Sequence, residues 1–342
     1  PERYVTAIET AQNDPSVDAI LLIMTPQTMT RPADTALAIA NALDGSKPVV
    51  ASFMGGQDIL PGRSELSSAG LPDYDTPERA VDALRAMYNY ALWKNRPPRQ
   101  ITHFRVNRRR VERIITRRLR TGRLVIGDVK GKDVLNAYGF KIPVGSLAIN
   151  AEEAIEIAER IGYPVALKIV SPNILHKSDM GGIQLNINNG EALEDAYDLM
   201  MLKIKKRAPE AQIDGIYVEQ MVTRGLEVIL GMNRDPQFGP MLMFGLGGIF
   251  VEVLKDVTFH LAPITEAEAV QMLKSTRSYA MLEGQRGHQG VDLNAIAVGL
   301  QRISQLTTDF PQITELDINP YIVGSAGTDP VVADVHMTLA KP

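Results

Sequence analysis

GYPVALKIVSPNILHKSDMGG, residues Gly162 to Gly182, is the stretch on which the reading of this chain turns. Tyr163-Pro164 closes a preceding helix, and Val165, Ala166, Leu167, Ile169 and Val170 form a short apolar run around Lys168. That is the pattern of a strand buried on at least one face, and a buried ammonium needs an anion. Ser171-Pro172 turns the chain out of the strand, and a polar loop carries His176, Lys177, Ser178 and Asp179 to the Gly181-Gly182 pair. Phosphoryl chemistry uses such parts: a cation on the phosphate oxygens, backbone N–H groups exposed by glycine, and a side-chain nucleophile. For this stretch alone, a lysine snorkelling ahead of a solvated turn is the competing reading.

Upstream, residues 1–93 alternate helix and strand. VDAILLIM (Val17 to Met24) and KPVVASFMGG (Lys47 to Gly56) are near-continuous apolar strands, separated by a helix from Pro32 to Leu43. A short strand is expected over Leu71 to Tyr74. Thr76-Pro77-Glu78 then caps a long helix with an apolar face of Ala80, Val81, Leu84, Met87, Tyr88 and Leu92. Apolar strands joined by helices predict a parallel, doubly wound sheet. Between Arg105 and Arg123 stand nine arginines against one acid, Glu112, a local +8 that leaves −12 for the rest of a chain whose net charge is −4. This basic helix, within a segment from Asn95 to Gly122, reads as a linker. Its Val111, Ile114, Ile115 and Leu119 fall on one helical face. The basic core has no aromatic residues, which argues against nucleic-acid binding, and so short a basic patch can equally well pack on an acidic neighbour.

Composition sets further bounds. The chain has 342 residues, 45% of them apolar and 22% charged, which suits a globular enzyme of two or three domains. There is no Cys, hence no disulfide and no thiolate nucleophile. No apolar run approaches the roughly 20 residues that span a bilayer, and the first residues do not form a signal peptide, so a cytoplasmic protein without a membrane partner is expected. The chain opens at Pro1 inside a helical pattern, which suggests a preceding segment.

Downstream, the texture becomes α+β. A helix is expected over Asp128 to Tyr138, a strand over Lys141 to Leu147, and three antiparallel strands over Gly215–Val222, Leu226–Asn233 and Pro240–Gly245. Glu219, Glu227, Asp317, Asn319 and Asp334 are polar groups in or beside strands that otherwise read as buried. In ELDINP the i, i+2 spacing puts Asp317 and Asn319 on one face, with Asp334 on a later strand able to sit beside them. Hard oxygens without His or Cys suit Mg²⁺ shared with nucleotide phosphates, or else structural ion pairs. His176 is the candidate nucleophile, eight residues after Lys168 and five before the glycine pair. His260, His288 and Arg286 are weaker candidates, and Gly247 and Gly248, with Gly181 and Gly182, are weak candidates for a phosphate-cradling backbone.

Together, Gly162–Gly182, VEQMV (Val218 to Val222), LEVILGMNRDPQFGPMLMFGLGGIFVEVLKD (Leu226 to Asp256) and ELDINP (Glu315 to Pro320) closely resemble the ATP-grasp domain, the β part, of NDP-forming acyl-CoA synthetases. That group includes ADP-forming acetyl-CoA synthetase and is related to succinyl-CoA synthetase. DAILLIMTP, KPVVASFMGG and LPDYDTPERAVDAL resemble the last flavodoxin-like domain of the α part. The resemblance implies an α/β chain: an N-terminally incomplete flavodoxin-like doubly wound domain over 1–95, a basic linker helix over 96–122, and a two-lobed ATP-grasp (α+β) domain over 123–342. It implies interconversion of acyl-CoA, ADP and phosphate with carboxylate, CoA and ATP, through an acyl phosphate and a phosphohistidine. It assigns Lys168 to nucleotide phosphates, Glu219 with the Met221-Val222 backbone to adenine, and Glu227 to ribose or phosphate support. Asn319 and Asp334, with Asp317, would hold Mg²⁺, and His176 matches the phosphorylated histidine next to the nucleotide. The CoA-binding domain and the first phosphohistidine domain of the α part are missing here and are expected as partners in cis or trans, within an oligomer. The same domains also precede the acetyltransferase of bacterial protein lysine acetyltransferases, which makes a nucleotide- or acyl-CoA-sensing module the alternative.

Overall fold

The structure is a computed structural model, and it describes residues 1–27, 29–174, 177–222, 225–248, 255–284 and 290–340. The chain divides into two compact units, Pro1–Pro98 and Arg99–Pro342.

In the first unit, helix α1 (Glu2–Asn13), strand β1 (Ile20–Met24), helix α2 (Pro32–Ala42), strand β2 (Val49–Phe53), helix α3 (Leu60–Ser68) and helix α4 (Pro77–Lys94) follow one another. β1 and β2 pair in parallel, as apolar strands joined through a helix should. Ile8, Leu22, Met24, Ile39, Phe53 and Leu66 form the core. The strand expected over Leu71 to Tyr74 is reduced to one bridge, Ala51 to Asp73, because Pro72 has no N–H to extend a ladder. Helix α4 starts where expected, with Thr76 capping the Arg79 N–H. Its anticipated apolar face is not buried: only Ala80 is covered, and Tyr88 is 63% exposed.

The second unit begins with helix α5 (Arg108–Arg120), strand β3 (Val125–Ile126) and helix α6 (Asp128–Ala137). The basic helix read as a linker is packed into this unit. Its Val111 and Ile115 are buried in the unit's main core, while Arg110 pairs with Asp133 at 2.8 Å and Arg108 with Asp309 at 3.5 Å. A strongly amphipathic helix leaves water when one face finds apolar partners and the other finds carboxylates.

Two antiparallel sheets follow. The smaller lobe has strands β4 (Gly145–Ala148), β5 (Val165–Val170), β6 (Ile183–Ile187) and β7 (Gly215–Gln220) in the order β4-β7-β5-β6, backed by helices α7 (Ala151–Ile161) and α8 (Gly190–Arg207). The larger lobe has β8 (Leu226–Asp235), β9 (Gly239–Leu246), β10 (Val257–Leu261), β11 (Ile313–Val323), β12 (Val331–Val332) and β13 (Val335–Leu339). Its order is β10-β9-β8-β11-β13-β3, with β12 on β11. Helices α9 (Glu266–Lys274), α10 (Tyr279–Glu283) and α11 (Leu293–Asp309) belong to this lobe. Of the three strands expected to run antiparallel together, β8 and β9 do, but β7 lies in the other sheet between β4 and β5. The short connection after Gln220 is therefore a crossing between lobes and not a hairpin. The strand expected over Lys141 to Leu147 begins late, at Gly145, because Lys141 bridges to Val331 in the larger lobe.

Candidate functional site

Strand alternation places the site. Val165, Leu167 and Ile169 point into the core under α7 and α8, so Ala166 and Lys168 take the opposite face of β5, where Lys168 is only 4% exposed. The Lys168 ammonium lies 2.6 Å from Glu219 Oε1 and donates to the Ala333 carbonyl oxygen at 2.6 Å. The other Glu219 oxygen, Oε2, accepts from Lys132 at 2.6 Å, and Lys132 reaches Asp128 Oδ2 at 3.1 Å. Asp128 Oδ1 in turn accepts the Val335 N–H at 3.2 Å. Lys132, Lys168, Glu219 and Asp128 are all buried. They tie β5 and β7 of the smaller lobe to α6 and to the segment joining β12 and β13 in the larger. Burial alone would make Lys168 easier to deprotonate, yet Asp128, Glu219 and Asp334 hold its pKa above the ordinary value. Burial likewise works to raise Asp128, but Lys132, Lys168 and Lys177 hold it below the ordinary carboxylate range.

Lys177 completes the cluster from the turn after β5. Its ammonium donates to Asp334 Oδ1 at 2.9 Å and lies 3.9 Å from Asp128 Oδ2. Lys168, Lys177, Asp128 and Asp334 line one cavity of about 480 Å³, together with Tyr217 and Arg118. Burial, then the nearby Asp128 and Glu219 charges, push the Tyr217 hydroxyl up to about 12. Burial and the charge of Asp128 raise Asp334.

Asp317 and Asn319 share one face of β11, while Leu316 and Ile318 fill the core on the other. The Asn319 N–H donates to the Asp334 carbonyl oxygen at 3.2 Å, which joins the two segments. Burial and the charges of Asp334 and Glu315 push the Asp317 carboxyl up to about 6. Among the described residues no three His, Cys, Asp or Glu side chains converge as a metal cage. Two carboxylates and one amide oxygen remain, a sparse hard-oxygen set that fits a magnesium ion whose shell is completed by water and phosphate oxygens.

The other expected residues fall as follows. The Glu219 carboxylate, expected at adenine, is taken up by Lys132 and Lys168. Met221 and Val222 are half-buried at the crossing between lobes, the Met221 N–H donating to the Pro164 carbonyl oxygen at 3.1 Å. Glu227 is exposed at the start of β8, and its main chain is why Gly247 must be glycine: a Cβ there would lie 2.9 Å from both Glu227 Cβ and its carbonyl oxygen. The Gly181-Gly182 pair is accounted for by the turn. Gly181 has φ +72°, a Cβ on Gly182 would lie 2.4 Å from Ile169 Cγ2, and their N–H groups donate to Ser178 and Lys177 carbonyl oxygens at 3.0 and 2.7 Å. Gly248 has φ +65° with open space at the Cβ position. His176, the expected nucleophile, lies outside the described residues, as do His288 and Arg286, while His260 is half-exposed on β10, away from this cluster. Sequence reasoning missed Asp128, Lys132 and Lys177.

Residues 117–339 match the ATP-grasp domain family. The ADP-forming acetate–CoA ligase I of Archaeoglobus fulgidus is 41% identical over 341 residues, 99% of this chain and 48% of that protein. The β subunit of ADP-forming acetate–CoA ligase II of Pyrococcus furiosus is 43% identical over 228 residues, 66% of this chain and 97% of that subunit. A structure of the dinucleotide-forming acetyl-coenzyme A synthetase 1 of Ca. Korarchaeum cryptofilum, in complex with coenzyme A and Ca-AMPCP, superposes with a TM-score of 0.65 at 38% identity, covering 67% of this chain and 99% of that one. This chain spans about half the length of the full-length ligases it matches, 48% for those of both Archaeoglobus fulgidus and Nitrosopumilus maritimus.

Proposed function

Since this chain belongs to the ATP-grasp family, and within it to the ADP-forming acetate–CoA ligases, we propose that it carries the nucleotide-handling part of an NDP-forming acyl-CoA synthetase. The overall reaction converts acyl-CoA, ADP and phosphate into carboxylate, CoA and ATP, and it is reversible. The observation that carries this reading is the convergence of Lys168, Lys177 and Asp334 on one cavity at the seam between two sheets. Two cations beside hard oxygens are what the phosphates of ADP or ATP require. Lys168, kept charged and in place by Glu219, and Lys177 face the phosphates. The Met221-Val222 main chain meets adenine, and Glu227 stands at the ribose. Asp334, Asn319 and Asp317 would hold Mg²⁺, which when bound neutralises phosphate charge.

A ring nitrogen of His176 attacks the γ-phosphorus of ATP. The N–P bond forms as the P–O bond to ADP breaks, and the electron pair leaves with ADP. In reverse, the phosphohistidine returns its phosphoryl group to ADP. The first unit is read as the last flavodoxin-like domain of the α part, and the CoA-binding and first phosphohistidine domains act in cis or trans. Incubation with Mg²⁺ and γ-labelled ATP is expected to leave acid-labile label on the chain. His176→Ala should abolish the label and keep nucleotide binding, whereas a labelled His176→Ala chain refutes the assignment of the nucleophile.

A further inference from the structure

The three lysines of the cluster are not equivalent. Lys132 is held by Asp128 and Glu219, and Lys168 by Glu219 and the Ala333 carbonyl oxygen. None of those partners belongs to the proposed metal set. Lys177 differs, because its close partner is Asp334 Oδ1 at 2.9 Å, the carboxylate that the reading above gives to Mg²⁺. The pair is partly covered, with side chains 14% and 30% exposed, so water weakens it less than it would a surface pair. The Lys177 carbonyl oxygen accepts the Gly182 N–H at 2.7 Å, which fixes the backbone from which the side chain reaches. Several rotatable bonds leave the ammonium free to swing within the cavity while that backbone stays put. An ammonium and a divalent cation cannot both sit against the same carboxylate oxygen.

We propose that Lys177 is a phosphate-binding residue whose ammonium stands in the metal's place on Asp334 in the nucleotide-free chain and passes to the nucleotide phosphates when the metal takes that carboxylate. The inference rests on the nucleotide reading of this site and adds the order of events within it. Metal alone must displace Lys177 from Asp334 into a site with no anion to receive it. Nucleotide alone must draw Lys177 from its carboxylate. Each ligand removes the obstacle to the other, so the two bind cooperatively through one side chain. The exchange forms and breaks no covalent bond.

The test uses the full 342-residue chain, Mn²⁺ as the metal probe followed by the paramagnetic resonance of the free ion, and β,γ-methylene ATP as a nucleotide that cannot transfer its phosphoryl group. Lys177→Met is expected to bind Mn²⁺ alone about tenfold more tightly than wild type, and metal-free methylene ATP about tenfold more weakly. The factor by which nucleotide tightens Mn²⁺ should shrink accordingly. Lys177→Arg, which keeps the charge, should retain the wild-type pattern, and adding Asp334→Asn to Lys177→Met should remove the gain in Mn²⁺ affinity. Lys177→Gln serves if the Met variant does not fold. An Mn²⁺ affinity unchanged in Lys177→Met, or a coupling factor equal to that of wild type, overturns the proposal. If the wild-type chain binds no methylene ATP, the nucleotide reading itself falls, and the Mn²⁺ titration without nucleotide still decides whether Lys177 guards Asp334.

Discussion

Replacing Glu219 with Gln removes one charge from the cluster and almost no volume. In the wild-type chain Lys132, Lys168 and Lys177 face Asp128, Glu219 and Asp334, so the cluster's formal charges cancel. In Glu219→Gln one positive charge is left over, and it falls on Lys132 and Lys168, which sit 2.6 Å from the lost carboxylate with side chains 2% and 6% exposed. Breaking a buried pair from one side costs about 3–5 kcal/mol, because the remaining ion stays desolvated without its partner. That is a large fraction of the roughly 5–15 kcal/mol that holds a domain together, and it lowers the melting temperature by on the order of 10 °C. Urea unfolding at pH 7 followed by circular dichroism measures it, with the slope against denaturant required to stay constant. Lys132→Met in the same chain removes the surplus charge and should recover most of the loss, an interaction of about 2 kcal/mol or more in the double-mutant cycle. A Glu219→Gln chain within about 1 kcal/mol of wild type would mean that water reaches these ions, and the reasoning from burial would be wrong.

Two further outcomes are expected. Ile115→Ala should cost about 2–5 kcal/mol in the same unfolding assay, the cost of a core deletion, since Ile115 is 3% exposed in the main core of the second unit; a cost near zero would return α5 to the status of a linker. Asp317 titrates at about 6 when folded against an ordinary 3.8, so folding strengthens its hold on a proton. Its stabilising contribution is full below about pH 4 and is lost as the pH rises through about 6. Thermal unfolding in chelator should therefore show wild type losing stability relative to Asp317→Asn across that window, and parallel curves for the two would contradict the raised value.

How far the site could be read from the chain depended on what kind of neighbour each residue had. The strand carrying Lys168 was legible because five of its six residues are buried and its period is short and local. Asp317 and Asn319 were legible for the same reason, a two-residue period on one strand. Lys132 was not, since Asp128 and Lys132 at i, i+4 on a helix read as an ordinary surface ion pair, and only the approach of β7 from the other lobe, bringing Glu219, turns that pair into a buried one. The sheet membership of β7 was hidden by a similar ambiguity: a few residues between two strands describe a hairpin and a crossing between lobes equally well. Lys177 was overshadowed by His176 beside it, and its partner Asp334 is far away in sequence.

These blind spots share a physical cause. The missed groups have meaning only where the two lobes meet, and that seam is where the charges are buried. The lysines of the smaller lobe and α6 are satisfied by Glu219, by Asp128 and by Asp334 at the edge of the larger lobe. On the proposed reading, a nucleotide entering the cavity brings its own negative charge and competes for the same ammonium groups. The contacts that join the lobes are thus, on that reading, the contacts that substrate must share or replace. A site built this way binds more weakly than its count of lysines suggests, because each phosphate contact is an exchange of one anion for another and not a new ion pair. In return, on the proposed nucleotide reading, Lys168 and Lys177 are aimed at the cavity before the substrate arrives, so their ordering precedes binding.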